Sequence, residues 1–191
     1  FENQVPIAHW NLAALAQALG EDTSEIAGWQ ASLRAGVLSM WNPEIGAHDA
    51  RDMRTGQFAG NLSSAAFLVY LTGADTQSLD ARLMRAWDAV PYGIPSADPE
   101  APGFDARRYW RGPSWPFLNA LIAWGLKDAG RTADAERLRL ETAALIEAGG
   151  FHEYFDPTDA TACGGKDFTW TAAIWLAWAG KSPQADMKGT V

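Results

Sequence analysis

The segment Pro113-Ser114-Trp115-Pro116-Phe117-Leu118-Asn119-Ala120-Leu121-Ile122-Ala123-Trp124-Gly125-Leu126-Lys127-Asp128 decides the fold. Its apolar residues Trp115, Phe117, Leu118, Leu121, Ile122, Trp124 and Leu126 fall on every side of a 3.6-residue helix, which predicts a helix buried nearly all round. Pro113 is acceptable in its first turn, where a missing N–H costs nothing. The next segment, Thr132 to Ala148, keeps the helical period but is charged and amphipathic. A buried helix followed by an amphipathic one makes a hairpin with an inside and an outside.

The rest of the chain repeats this pattern. A first helix is predicted from about Ile7 to Leu19, with Trp10, Leu12, Leu15 and Leu19 as apolar positions and Gly20 as its stop. A second, capped by Thr23 or Ser24, runs to about Met40 with Ile26, Trp29, Leu33 and Val37 at spacings of three and four. The third, about Asn61 to Leu71, is apolar nearly all round. The fourth, about Ser78 to Ala89, carries Asp80, Arg82, Arg85 and Asp88 on a wet face. The seventh, about Thr169 to Ala179, is again apolar all round, with Asp167 as its expected cap. Strand alternation is nearly absent.

Long loops precede the third, fifth and seventh helices, always on the connection into a buried helix. The expectation is an all-α fold in two layers, buried helices inside and amphipathic ones outside. One rim would collect His48 to Arg54, Ser96 to Arg111 and Glu153 to Trp170. Seven helices of ~10 Å diameter make roughly half a closed ring, leaving a flank of inner helices in need of a cover. The tail from Lys181 is polar.

Composition bounds the function. With 48% hydrophobic and 20% charged residues, the 191-residue chain suits one globular domain. A net charge of -8 argues against nucleic acid or an anionic membrane as partner. The best apolar run, Ala172 to Ala179, is too short to span a bilayer. The lone Cys163 excludes an internal disulfide and a cysteine-rich metal site, and fits a reducing, cytoplasmic setting. His9 and His48 lack ligand spacing, and Asp156 with Asp159 lacks the alternating oxygen ligands of a calcium loop. No metal and no cofactor is expected. The chain opens Phe1-Glu2-Asn3, without an initiator Met or a signal-like segment, so its true start is expected upstream.

Chemistry concentrates in Phe151-His152-Glu153-Tyr154-Phe155-Asp156-Pro157, in Cys163-Gly164-Gly165-Lys166-Asp167-Phe168-Thr169-Trp170-Thr171-Ala172-Ala173, and in Arg108-Tyr109-Trp110-Arg111-Gly112-Pro113-Ser114-Trp115-Pro116. Glu153 is a carboxylate among aromatic neighbours, the kind of group that acid–base chemistry on an uncharged substrate needs. Sugars have apolar C–H faces and polar edges, which indoles and charged groups match respectively. Trp110 with Arg111 offers both, and Trp170 a further indole. Trp115 and Trp124 read as core. Asp49 and Asp52 are candidates for a second carboxylate, although Arg51 and Arg54 beside them favour a surface ion-pair cluster. His152 reads equally as an orienter of Glu153 or as a solvated loop residue. Cys163 reads as a small packing residue.

These segments resemble the C-terminal half of an (α/α)6-barrel inverting glycoside hydrolase of the processing α-glucosidase family and its bacterial mannosylglycerate and glucosylglycerate hydrolase relatives. Trehalases are more distant cousins. The resemblance runs from the first helix to about Gly180. It implies that residues 1–180 form half of a catalytic toroid and 181–191 a tail. It also implies an Asp general acid outside this chain and Glu153 as general base. Tyr109, Trp110, Arg111, Gly112, Tyr154 and Trp170 would bind a small α-glucoside or α-mannoside such as glucosylglycerate. The implied partner is the missing N-terminal half of the barrel, or another chain, on the exposed inner helices. The rival reading is a non-catalytic helical sugar-binding or scaffold module.

Overall fold

The computed structural model describes residues 5–180, with side chains described from Leu12 onward. Trp10, His9 and the tail from Lys181 therefore lie outside the described side chains. The helices are α1 (Val5–Ala18), α2 (Ser24–Leu38), a tightly wound 3-10 run (Ser64–Thr72), α3 (Gln77–Asp88), α4 (Pro116–Asp128), α5 (Thr132–Gly149) and α6 (Thr169–Ile174), which continues as a π turn over Trp175–Ala179. Two short antiparallel ribbons interrupt them: β1 (Trp41–Asn42) with β2 (Ala47–His48), and β3 (Tyr154–Phe155) with β4 (Ala162–Cys163).

The layers follow the hydrophobic pattern. The inner row runs α1, 3-10, α4, α6, each packed on the next. The amphipathic α2, α3 and α5 lie outside. They contribute single apolar stripes: Ile26 and Val37, then Leu79, Leu83, Ala86 and Trp87, then Leu138, Leu145 and Ile146. Leu83 and Leu138 are fully buried, so truncating either to Ala costs about 2–5 kcal/mol. Gly125 lets α4 press directly onto the 3-10 run, because a Cβ there would stand 2.7 Å from Tyr70 Cβ and 2.8 Å from the Leu71 nitrogen. Polar ties reinforce the packing. Asn119 donates to Ser114 Oγ at 2.9 Å and Thr142 Oγ1 at 3.0 Å, and accepts from the Ile94 N–H. Glu141 accepts from the Trp87 indole and the Gly93 amide.

Several local expectations are corrected. The third helix is 3-10 rather than α. The fifth starts on Pro116, which takes the first-turn place assigned to Pro113. Thr23 occupies the cap of α2 without a side-chain bond; Asp22 instead accepts from the Ser24 amide and hydroxyl. Asp167 does not cap α6, because its left-handed backbone (φ 53°) turns the chain early and leaves Phe168 at the cap. The last helix is not buried all round: Trp170 and Leu176 are 57% and 77% exposed. Its main helical neighbours are α4 and α5, and the β3–β4 ribbon packs on it as well. Trp124 is likewise exposed, on the α4 stripe Phe117–Leu121–Trp124 whose other two members are partly buried against the core.

The rim is sewn together by hydrogen-bonded joints, all but the first of them backbone to backbone. Gly60 N–H donates to Asp49, Ser63 bridges Ala97, Pro95 bridges Ser114, and Ser114 bridges Phe155. Glu153 N–H then donates to Gly165 O at 3.0 Å, and Phe168 N–H to Phe151 O at 2.8 Å. The three long loops thus lie edge to edge at one end of the helices.

Candidate active site

Glu153 stands at the root of the β3–β4 ribbon. Its Oε2 accepts from the Gly165 N–H at 3.2 Å, while its own N–H donates to Gly165 O, so carboxylate and backbone grip the same residue. Gly164 makes this possible. Its backbone is left-handed (φ +72°), and a Cβ would stand 2.7 Å from Glu153 Oε2 and from Tyr154 Cε1. Two properties of glycine are used at once, its freedom at positive φ and its lack of a side chain. The immediate neighbour of the Glu153 oxygen is therefore a glycine turn, with the rings beginning at Tyr154.

Those rings form one continuous wall. Trp115 is its hub: 2% exposed, stacked flat on Trp110 at 4.0 Å, and in contact with Tyr109, Phe117 and Tyr154. Phe117 extends the wall to Trp170 at 5.2 Å, and Trp170 meets Phe168. Trp110 and Tyr109 remain nearly half exposed, so their rings are held from behind by buried ones and open in front. Tyr109 sits at φ 42°, a conformation that costs a non-glycine residue about 1–3 kcal/mol. Its carbonyl is held by the Trp115 indole N–H at 3.2 Å. Burial pushes the Tyr154 phenol up from the ordinary tyrosine range, with the neighbouring Cys163 and Glu153 adding to it.

Arg111 is exposed; its Nε donates to Gly103 O at 3.2 Å, and neither it nor Arg108 enters the ion pairs of the described residues. Gly112 is buried and closes the loop, for a Cβ would strike Asp105 O at 2.4 Å. Its part in the site is thus to shape the backbone under Arg111.

Other expectations fare differently. His152 forms no bond to Glu153 among the described contacts; its carbonyl accepts from Thr171 Oγ1 at 2.6 Å, tying the ribbon to α6. Asp52 and Arg54 make the exposed surface pair expected of them. Asp49 does not join it. It is 3% exposed and accepts from Asn42 Nδ2 and the Gly60 amide, because β1 and β2 fold over it. His48 is buried against Trp41, and burial pushes its imidazole below the usual range. Asp156 and Asp159 both take Arg107 as partner. Cys163 is half-buried opposite Tyr154. Sequence reasoning missed Arg107, Gly164, Phe117 and the hub role of Trp115. The adjacent glycines at 164 and 165 were the visible signal for the turn.

Comparison with known proteins now bears on this arrangement. Residues 7–171 match the family described as the mannosylglycerate hydrolase MGH1-like glycoside hydrolase domain. The chain is 40% identical over 181 residues to mannosylglycerate hydrolase MGH2 of Selaginella moellendorffii, covering 92% of this chain and 37% of that protein. It superposes with a TM-score of 0.86 and 35% identity on the GH63 mannosylglycerate hydrolase of Thermus thermophilus in complex with glucose, covering 92% of this chain and 46% of that one. The neutral trehalase Nth1 of Saccharomyces cerevisiae, at 17% identity and a TM-score of 0.66, shares the fold alone. The chain spans less than half the length of these relatives, and its helical hairpins make up roughly half of an (α/α)6 toroid. The chain belongs to the MGH1-like glycoside hydrolase family.

Proposed function

We propose that this chain supplies the C-terminal half of an inverting α-glycosidase acting on an α-mannoside or α-glucoside of glycerate. Glu153 is its general base. One observation carries the reading: the same ribbon presents Glu153, fixed by the Gly165 amide, and Tyr154, which continues the aromatic wall of Tyr109, Trp110 and Trp115. A carboxylate beside a surface shaped for a sugar face is what hydrolysis by activated water requires.

In that reaction Glu153 takes a proton from water as the water oxygen attacks the anomeric carbon. The bond between the anomeric carbon and the glycerate oxygen breaks, and that oxygen receives a proton from a carboxylic acid on the opposite face. Room for the water sets the two carboxyl groups roughly 6.5–9.5 Å apart. We assign the acid to an Asp in the part of the enzyme outside this chain, which also covers the exposed flank of α6. Trp110 and Trp170 pack the sugar's C–H face. Arg111, free of a carboxylate partner among the described residues, faces the hydroxyls or the glycerate carboxylate.

The test is Glu153→Gln in the complete native polypeptide. Turnover is expected to fall by roughly 10²–10⁴, the usual worth of a positioned base, while the substrate still quenches tryptophan fluorescence. Turnover at the wild-type level would remove Glu153 as the base.

A further inference from the structure

Arg107 joins the two halves of the site without belonging to the aromatic wall. Its Nε donates to Asp156 Oδ2 at 2.8 Å, and its Nη2 to Asp159 Oδ2 at 2.6 Å and Thr161 Oγ1 at 3.3 Å. These acceptors lie far along the chain, in the turn between β3 and β4. Asp156 is 3% exposed. Its Oδ1 is taken by the Thr158 amide and hydroxyl, which leaves Oδ2 to the guanidinium. A buried carboxylate with its lone pairs shared out in this way is a fixed anchor rather than a loose surface partner.

The other end of the connection is equally defined. Residues 105–111 close on themselves: Arg107 N–H donates to the Asp105 carboxylate, Arg108 N–H to Asp105 O, Asp105 N–H to Arg111 O, and Arg111 N–H to Arg108 O. Gly112 seals the knot against Asp105. A segment so closed moves as one body, and whatever holds Arg107 also holds Tyr109, Trp110 and Arg111. Tyr109 needs holding, because its positive φ relaxes once the surroundings let go.

We propose that Arg107 is a positioning residue: it latches the Tyr109–Arg111 knot to the Glu153 ribbon and so fixes where the exposed faces of Tyr109 and Trp110 stand relative to Glu153. The proposal rests on the reading of Tyr109–Arg111 as the pocket wall. It concerns binding rather than proton transfer. Arg107 Nε and Nη2 are committed to the ribbon, so the guanidinium is tied to the turn rather than swung toward a ligand. Arg107 is not a packing residue, since its side chain is 57% exposed and its removal opens no cavity.

The experiment uses Arg107→Met and Arg107→Lys in the complete native polypeptide. KM is expected to rise about tenfold in Arg107→Met with kcat within about threefold of wild type. Arg107→Lys should fall between, because a lysine reaches one acceptor where the guanidinium reaches two. The Kd measured by tryptophan fluorescence in the Glu153→Gln background is expected to rise in parallel. Hydrogen exchange supplies a second measurement that needs no substrate: the Arg111 amide is expected to exchange faster in Arg107→Met while the amides of α4 and α5 are unchanged. A kcat loss at constant KM, an unchanged KM and Kd, or exchange that rises uniformly across the fold would each overturn the latch. Failure of the base assignment looks different, since Glu153→Gln would then turn over normally while the exchange at Arg111 still reported on Arg107.

Discussion

Gly164→Ala isolates the turn that holds Glu153. The added methyl has two consequences. Alanine at φ +72° carries about 1–2 kcal/mol of left-handed strain. Its Cβ also meets Glu153 Oε2 and Tyr154 Cε1 at 2.7 Å and Glu153 Cβ at 2.8 Å, distances that real side chains do not sustain. Gly164 is exposed, so the turn can shift outward, away from the Glu153 Cβ and the Tyr154 ring, and in doing so it carries the Gly165 amide off the carboxylate. Strain and crowding together cost the fold about 2–5 kcal/mol. Displacing a catalytic group by about 1 Å costs on the order of 10²-fold in rate. The expected result is a hundredfold loss in kcat/KM with a folded protein, measured by sugar release and urea unfolding of the complete enzyme. Gly165→Ala is the matched control. Its Cβ would lie 3.9 Å from the same oxygen, an ordinary contact, and its φ is not positive. Rates within about threefold of each other for the two variants would refute the argument that the turn positions the base.

Arg111→Met is expected to lower kcat/KM about tenfold more for a glycoside of glycerate than for an uncharged methyl glycoside, the worth of one charge-assisted hydrogen bond; equal losses on both would place the guanidinium away from the aglycone. His48 gives a pH prediction. Burial holds its folded-state pKa below the unfolded value of about 6.5, so it contributes stability above that pH that is lost as pH falls through and below it. Urea midpoints measured between pH 7.5 and pH 5 are expected to drop less in His48→Gln than in wild type, and an identical drop would contradict the burial argument.

Helix positions were legible in the sequence wherever a local signal sufficed: Gly20 after α1, the amphipathic period of α3 and α5, the apolar runs of the inner row. The winding of Ser64–Thr72 was not, because Ala, Phe, Leu, Val and Tyr carry no preference for 3-10 over α, and its close partner, Gly125, lies far along the chain. The exposure of Trp124 and Trp170 follows from what packs beside them, which residue type does not report. Within the candidate site, motifs sufficed to single out the Tyr109–Trp110 and Glu153–Tyr154 segments, which the fold brings together. They did not single out Arg107, since an arginine in a polar loop shows nothing of a buried aspartate across the ribbon. Asp49 illustrates the converse: neighbouring arginines suggested the surface, and a two-stranded fold-over buried it.

The sequence of joints from Asp49 to Phe168 has a consequence for how such an enzyme changes its preferences over evolutionary time. Each joint fixes the residues it pairs, so an insertion between two joints has to bulge outward from the seam. The outward bend Asp52–Gln57, whose bonds are all internal, can grow without breaking a joint. New tastes in aglycone should therefore arise by exchanging side chains in place, or by decorating that single bend, while the spacing from Arg107 to Glu153 stays constant.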